Sequence, residues 1–187
     1  MTDFLLKIIF IGDIIGSPGR RAVRELLPGL KQKYNPDIVI ANGENSAGGF
    51  GITPEIFSEL KDLKIDVVTT GNHVWDKKEI IPFLKDNGPK ETQTSLIRPA
   101  NYPEGAPGSG FTIFTTASGA NIGVANLSGR IFMDSLECPF RTGLPIIEKI
   151  RQMTPVIIID IHAEATSEKA ATGWFFDGKV SAVIGTH

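Results

Sequence analysis

Polar side chains of the types that bind metal ions follow directly after apolar, strand-like runs of this chain. Asp, Glu, Asn and His supply the oxygen and nitrogen ligands of hard and borderline metals. The carboxyl ends of the strands in an open α/β sheet meet at one edge, where such sheets bind ligands. We therefore expect a single site assembled from five clusters, Gly12-Asp13, Gly43-Glu44-Asn45, Gly71-Asn72-His73, Ile161-His162-Ala163-Glu164 and Gly185-Thr186-His187.

Each cluster taken alone also has an ordinary structural explanation. Asp13 is suited to metal ligation, to ribose binding or to capping the next turn. Glu44 has two oxygens that suit it to bridging two cations, yet it also fits a solvated loop that continues into two glycines. Asp160 and His162 are two residues apart in a strand, so their side chains lie on the same face. Asp160 is therefore a candidate to orient the site without binding the metal itself. The sequence at this level leaves these alternatives open.

The most specific cluster is Gly71-Asn72-His73. Asn72 offers a carbonyl oxygen to a metal, while the adjacent His73 points elsewhere and is suited to act as a general acid near neutral pH. An isolated histidine is more often a satisfied turn residue. A histidine at the end of a sequence is usually uninformative. His187 follows a predicted strand, however, and this position favours a metal ligand.

The composition counts against several classes of protein. Among the 187 residues the net charge is −2, and no basic patch favours duplex nucleic acid. No segment approaches the ~20 apolar residues of a membrane span, and Met1–Lys7 lacks the pattern of a signal peptide. The single cysteine, Cys138, fits a reducing compartment. We expect a cytoplasmic protein of one domain, residues 1–187, and the sequence leaves a homo-oligomer open.

The order of the predicted elements in the first half favours a mostly parallel sheet. Apolar runs at Leu6–Ile11, Ile38–Ala41 and Val67–Thr69 predict buried strands. Three helices are expected to follow them, with N-caps at Ser17, at Thr53 and, through a capping box with Glu79, at Asp76. This βαβαβα order predicts right-handed crossovers.

The second half adds a hairpin and further buried strands. Phe111–Thr116 and Ile122–Leu127 flank a turn and predict a β-hairpin. A long irregular segment, Ser128–Gly143, is expected next, and segments of that length are often functional. The remaining predictions are helices at Ile146–Met153 and Ala165–Ala171 and strands at Val156–Ile161 and Val180–Ile184.

The clusters taken together resemble the calcineurin-like metallophosphoesterases, and more closely their bacterial YmdB-type branch. The resemblance covers essentially the whole chain and rests on five segments, Phe10–Arg20, Asn42–Asn45, Gly71–Lys78, Arg98–Asn101 and Asp160–Lys169. It implies a layered α/β fold, with mainly parallel buried strands, flanking helices and a β-hairpin region. It also implies hydrolysis of phosphodiesters such as 2′,3′-cyclic nucleotides.

The resemblance also implies a role for each site residue. Asp13, Glu44 and Asn45 would hold a first metal ion, Glu44 would bridge to a second ion held by Asn72, His162 and His187, and His73 would be the proton donor. Two iron, manganese or zinc ions suit these ligands. The family continues Gly-Thr-His with a further x-His that completes the first metal site. We therefore expect this chain to be C-terminally incomplete and to lack the last strands of the fold.

The sequence supports two hypotheses of different classes. In the first, two metal ions activate a water for phosphodiester hydrolysis and His73 protonates the leaving oxygen. In the second, the chain is a non-catalytic regulatory module that binds a metal or a nucleotide, because the first metal site lacks one ligand. Arg98 and Arg130 are candidates to contact the substrate, against the alternative of a solvated loop.

Overall fold

A computed structural model describes residues 5–86 and 95–187 of the chain. The start of the segment Met1–Lys7, which we expect not to be a signal peptide, lies outside the described residues. Three strands form a first, fully parallel sheet in the order β1-β2-β3: β1 (Ile8–Ile11), β2 (Ile38–Asn42) and β3 (Val67–Thr69). The parallel order predicted for the first half of the chain is confirmed.

A second sheet of four strands has the order β4-β5-β6-β7. Its strands are β4 (Phe111–Thr115), β5 (Asn121–Ser128), β6 (Ile157–His162) and β7 (Ala182–Thr186). β4 pairs with β5 in antiparallel register, which confirms the predicted hairpin. β5, β6 and β7 are parallel, so their carboxyl ends lie at the same edge.

The described part of the chain contains five α-helices. They are α1 (Gly16–Tyr34), α2 (Pro54–Asp62), α3 (Ile80–Asp86), α4 (Pro139–Arg151) and α5 (Thr166–Phe176), and a 3₁₀ turn spans Asn72–Trp75. Thr53 caps α2 as predicted, since its hydroxyl accepts a hydrogen bond from the backbone N–H of Ile56. In the described part of the chain, no helix is long and apolar enough to cross a membrane.

Among residues 5–86 and 95–187, the hydrophobic core has three parts, which separate four layers of helices and sheets. One part joins the first sheet to α1, α2 and α3, and another joins the second sheet to α4 and α5. The third lies between the two sheets, where Ile40 of β2 and Ile158 of β6 belong to the same cluster. Because the buried strands are covered on both faces, their sequences are continuous apolar runs. The fold is therefore the layered α/β architecture that the sequence predicts.

Three predicted helix starts are wrong. α1 begins at Gly16, so Ser17 lies within its first turn rather than at its N-cap. Asp76 does not cap α3, which begins at Ile80, because Asp76 instead follows directly after the 3₁₀ turn Asn72–Trp75 as its C-cap. α4 begins at Pro139 instead of Ile146, since proline is well suited to the first turn of a helix.

Candidate metal centre and active site

All seven residues predicted to form the site line one cavity of about 630 Å³. They come from both sheets, because the carboxyl ends of β1, β2, β3, β6 and β7 lie at the same end of the molecule. The cavity is lined by Asp13, Glu44, Asn45, Asn72, His73, His162 and His187, together with neighbouring aromatic and acidic residues. The structure thus brings the predicted set together, and the role of each member stays a prediction.

The floor of this cavity is a close contact between Glu44, His162 and Asn72. Nε2 of His162 lies 2.8 Å from Oε1 of Glu44 and 3.0 Å from Oδ1 of Asn72. Glu44 and His162 are both almost completely buried. Burial alone would lower the pKa of His162, but the hydrogen bond and charge of Glu44, together with the charges of Asp160 and Asp13, outweigh it and the pKa is raised. Three potential metal ligands therefore face one point.

Gly71 makes this close approach possible. A Cβ atom at this position would lie 1.9 Å from Oε2 of Glu44 and 2.3 Å from Cδ2 of His162. Both distances are far below van der Waals contact, so no other residue fits without displacing the two side chains. The glycine that precedes Asn72 in the sequence is thus part of the site's construction.

Two acceptor atoms beside this floor have no hydrogen-bond partner among the described residues. They are Oδ1 of Asp13 and Oδ1 of Asn45, and both atoms are buried. Burial also raises the pKa of Asp13. Buried polar atoms are nearly always paired with protein, water or an ion. Unpaired oxygens of a carboxylate and an amide fit the donor chemistry of a metal ion.

The metal ligands predicted for this cavity are not all ionisable side chains in mutual contact. In the ranges that the structure describes, no group of three or more His, Cys, Asp and Glu side chains is arranged to hold a metal ion. The predicted donor set departs from such a group because Asn45 and Asn72 contribute amides. It departs also because the imidazole of His187 is exposed and contacts Glu164, with Nε2 2.8 Å from the carboxylate. Only the backbone N–H of His187 reaches Asp13, at 3.0 Å.

A buried polar network lies behind His162. Nδ1 of His162 is 3.1 Å from the hydroxyl of Thr186, which donates a hydrogen bond of 2.7 Å to Asp160. The Asp160 carboxylate also accepts hydrogen bonds from Asn42 and Thr69. Burial raises the pKa of Asp160 to about 6. Asp160 thus supports His162 through Thr186, whose hydroxyl accepts from Nδ1 and leaves Nε2 to face the cavity floor.

His73 is held by the carboxylate of Asp76, a residue that the sequence pattern predicts to be a helix cap. Its Nδ1 lies 2.8 Å from Oδ2 of Asp76, and its backbone N–H donates to Oε2 of Glu44 at 3.3 Å. The ring of Phe50 packs edge-on against the imidazole, with 4.9 Å between centroids. The i,i+3 spacing of His73 and Asp76 is the signal that could have identified this pair, had the segment been expected to form a 3₁₀ turn.

Arg98 does not contact the cavity. Its guanidinium is buried and donates hydrogen bonds to four backbone carbonyl oxygens, at Pro99, Ala106, Pro107 and Gly108. Burial lowers the pKa of Arg98. The residue fixes the loop that precedes β4, and the hypothesis that it binds the substrate is wrong.

Comparisons with known proteins agree with this architecture. A family model described as "YmdB-like protein" matches residues 9–187. The chain is 50% identical over 182 residues to the 2′,3′-cyclic-nucleotide 2′-phosphodiesterase of Bacillus subtilis (strain 168). That alignment covers 97% of this chain and 66% of the relative, so the chain spans just under two thirds of the relative's length.

Two crystal structures are also similar. One, of a hypothetical protein from Thermus thermophilus, has a TM-score of 0.86 and 41% identity, over 97% of this chain and 68% of that one. The other, of a novel phosphatase from Mycoplasma pneumoniae, has a TM-score of 0.85 and 33% identity, over 97% and 64%. The chain therefore belongs to the YmdB-like family, the branch of the calcineurin-like metallophosphoesterases that its motifs resemble.

Proposed function

We propose that this chain carries the active site of a metal-dependent phosphodiesterase that hydrolyses small phosphodiesters such as 2′,3′-cyclic nucleotides. The observation that carries the proposal is the convergence of Glu44, Asn72 and His162 on the floor of a cavity that His73 also lines. The similarity to the 2′,3′-cyclic-nucleotide 2′-phosphodiesterase of Bacillus subtilis supports the substrate class.

The residues around the cavity would hold two metal ions. Asp13, Glu44 and Asn45 would hold the first, and Glu44 would be shared with a second held by Asn72, His162 and His187. Iron, manganese and zinc all suit this mixture of oxygen and nitrogen donors. Such ions supply Lewis-acid polarisation of the phosphate and lower the pKa of a neighbouring water.

Residues behind the ligands orient them. The hydroxyl of Thr186 accepts from Nδ1 of His162 because its own proton is donated to Asp160. A neutral His162 with its proton on Nδ1 has its Nε2 lone pair directed at the cavity floor, which is the tautomer that a metal requires. The Asp160–Thr186 pair thus sets both the tautomer and the ring orientation.

His73 is the proton donor in this proposal. Its contact with Asp76 engages Nδ1, so Nε2–H of the imidazolium is the group left to be donated. The backbone N–H of His73 donates a hydrogen bond to Glu44, which positions the proposed acid beside a proposed metal ligand. The acid would therefore protonate the ribose oxygen as it leaves phosphorus.

A second candidate function is a module that binds a metal or a nucleotide without turnover. The observation that favours it is the position of His187, whose side chain is 65% exposed and paired with Glu164 instead of joining the floor of the cavity. With His187 outside the set, the second ion would have fewer side-chain ligands. Binding could then persist without catalysis.

Metal content and turnover measured on the same protein separate the two functions. The protein is loaded with manganese or iron and dialysed, its metal is counted per chain, and hydrolysis of 2′,3′-cyclic AMP is followed with and without a chelator. We expect two ions per chain and turnover that the chelator abolishes. One ion with no turnover would favour the binding module, and turnover that survives complete metal removal would contradict the metal-dependent mechanism.

A further inference from the structure

Phe132 combines two features that a folded protein normally avoids. The residue is 88% exposed, and its backbone has φ +62°, in the left-handed region that bulky residues rarely adopt. It occupies the third position of a turn closed by a hydrogen bond from the Met133 N–H to the Arg130 carbonyl. Glycine or asparagine is the usual residue at such a position. Strained, exposed residues of this kind cluster at functional sites.

The loop that presents Phe132 is anchored to the active site. The backbone N–H of Gly129 donates to the carbonyl of His162 at 2.7 Å. The Glu168 carboxylate, on α5, accepts from the N–H groups of Arg130 at 2.9 Å and Ile131 at 3.2 Å. The residues that precede Phe132 in the turn are therefore held by His162 and by Glu168. These hydrogen bonds fix the position of the exposed ring relative to His162.

Phe132 lines the same cavity as the predicted metal ligands. A volume of about 630 Å³ is large enough for a small-molecule ligand. Phe50, the other phenylalanine of the cavity, already packs against His73. Among the described residues, no ring or cation packs against Phe132. One aromatic face at the cavity is thus open to a ligand.

We propose that Phe132 is a stacking platform for the nucleobase of the substrate, and so makes the site selective for nucleotides over phosphodiesters that carry no base. The inference rests on the proposed phosphodiesterase function. The polar floor around Glu44 and His162 would take the phosphate, and the ring at the mouth would take the planar base. Base–aromatic stacking tolerates any base, because every base has a π-face.

Three substitutions of Phe132 distinguish the effect of the aromatic ring from the effect of the turn conformation. Phe132→Ala removes the ring, Phe132→Gly removes it while suiting the positive φ, and Phe132→Tyr keeps an aromatic face. Each is assayed on 2′,3′-cyclic AMP and on the base-free methyl riboside 2′,3′-cyclic phosphate. We expect the Ala and Gly variants to lose about 5- to 150-fold in kcat/KM on the nucleotide only. The Tyr variant should stay near wild type.

Two controls test whether a loss of activity comes from unfolding or from removing any exposed aromatic residue. Phe132→Gly should unfold at the wild-type temperature or above, since glycine accepts the left-handed backbone. Trp174→Ala removes another exposed aromatic, 82% accessible and outside the cavity, and should leave both substrates unaffected. Equal losses on the two substrates, or an unchanged rate on the nucleotide, would overturn the role of Phe132.

A binding measurement keeps this inference apart from the proposed function. If wild type hydrolyses neither substrate, the phosphodiesterase proposal fails, and calorimetry with adenosine 3′-monophosphate and methyl riboside 3-phosphate decides the role of Phe132. A Kd for the nucleotide that rises at least about 5-fold in Phe132→Ala, with no change for the base-free phosphate, supports the platform. Equal Kd values for the nucleotide in wild type and variant would overturn it.

Discussion

Nε2 of His162 lies 2.8 Å from Oε1 of Glu44, and the two side chains are almost completely buried. Glu44 follows β2 of the first sheet, and His162 ends β6 of the second. The pair therefore joins the carboxyl ends of the two sheets. A buried ionic pair is weak evidence for stability, because desolvation offsets most of its attraction. Its position on the floor of a cavity favours a functional role instead.

The first prediction concerns the carboxylate of that pair. Glu44→Gln keeps the shape of the side chain but removes its charge, so we expect metal affinity to fall at least about tenfold, in line with the loss caused by changes around metal ligands. Metal content after dialysis against increasing chelator measures this. Glu59→Gln, on α2, makes the same change in a pair with Arg20 and should retain wild-type affinity. Equal metal retention in the two variants would exclude Glu44 as a ligand.

The second prediction concerns Gly71. Gly71→Ala places a methyl group 1.9 Å from Oε2 of Glu44, so we expect a loss of about 1–3 kcal/mol in the free energy of unfolding, together with loss of bound metal. Denaturant titration and metal content test it. Gly173→Ala, inside α5 with open space at its Cβ position, should be at least as stable as wild type. A stable Gly71→Ala variant with full metal content would show that the close approach is dispensable.

The third prediction concerns Asp76. Asp76→Asn replaces the carboxylate that orients the His73 ring through Nδ1 with an amide, so kcat should fall about tenfold or more while metal content and KM stay near wild type. Steady-state kinetics on 2′,3′-cyclic AMP provide the test. Glu79→Gln alters a nearby exposed acid and serves as the control. A change confined to KM would assign Asp76 to substrate binding instead.

The fourth prediction concerns Arg98, which we place in the fold and not in catalysis. Arg98→Ala leaves four carbonyl oxygens without their donor, and we expect the free energy of unfolding to fall by about 3 kcal/mol. Arg130→Ala, at an exposed position, should change it by less than about 0.5 kcal/mol. Similar unfolding curves for the two variants would contradict the structural role of Arg98.

The strands and the location of the site could be predicted because burial leaves a direct trace in the sequence. A strand covered on both faces, such as β2 or β6, is a continuous apolar run, and the first polar residues after it mark its carboxyl end. Since parallel strands end at the same edge, Asp13 and His162 could be assigned to one site although 149 positions separate them (162 − 13).

The hydrogen-bond partners of the site residues could not be predicted. They depend on the pairing register of the strands and on the local backbone conformation after each strand. The support of His162 by Thr186 follows from the pairing of these two residues across β6 and β7. Asp76 fits a helix cap and a histidine partner equally well by spacing, and only the 3₁₀ turn after β3 selects the second. The contact of His187 with Glu164 has no local signature either.

Metal content and turnover measured together in His73→Ala test most directly whether His73 is the acid of this site. The ligand set does not include the His73 imidazole, so the variant should bind the same number of metal ions per chain as wild type. Without the proton donor, its kcat on 2′,3′-cyclic AMP should fall about 10²- to 10⁴-fold. A variant with normal metal content and wild-type turnover would contradict the assignment of His73 as the acid of this site.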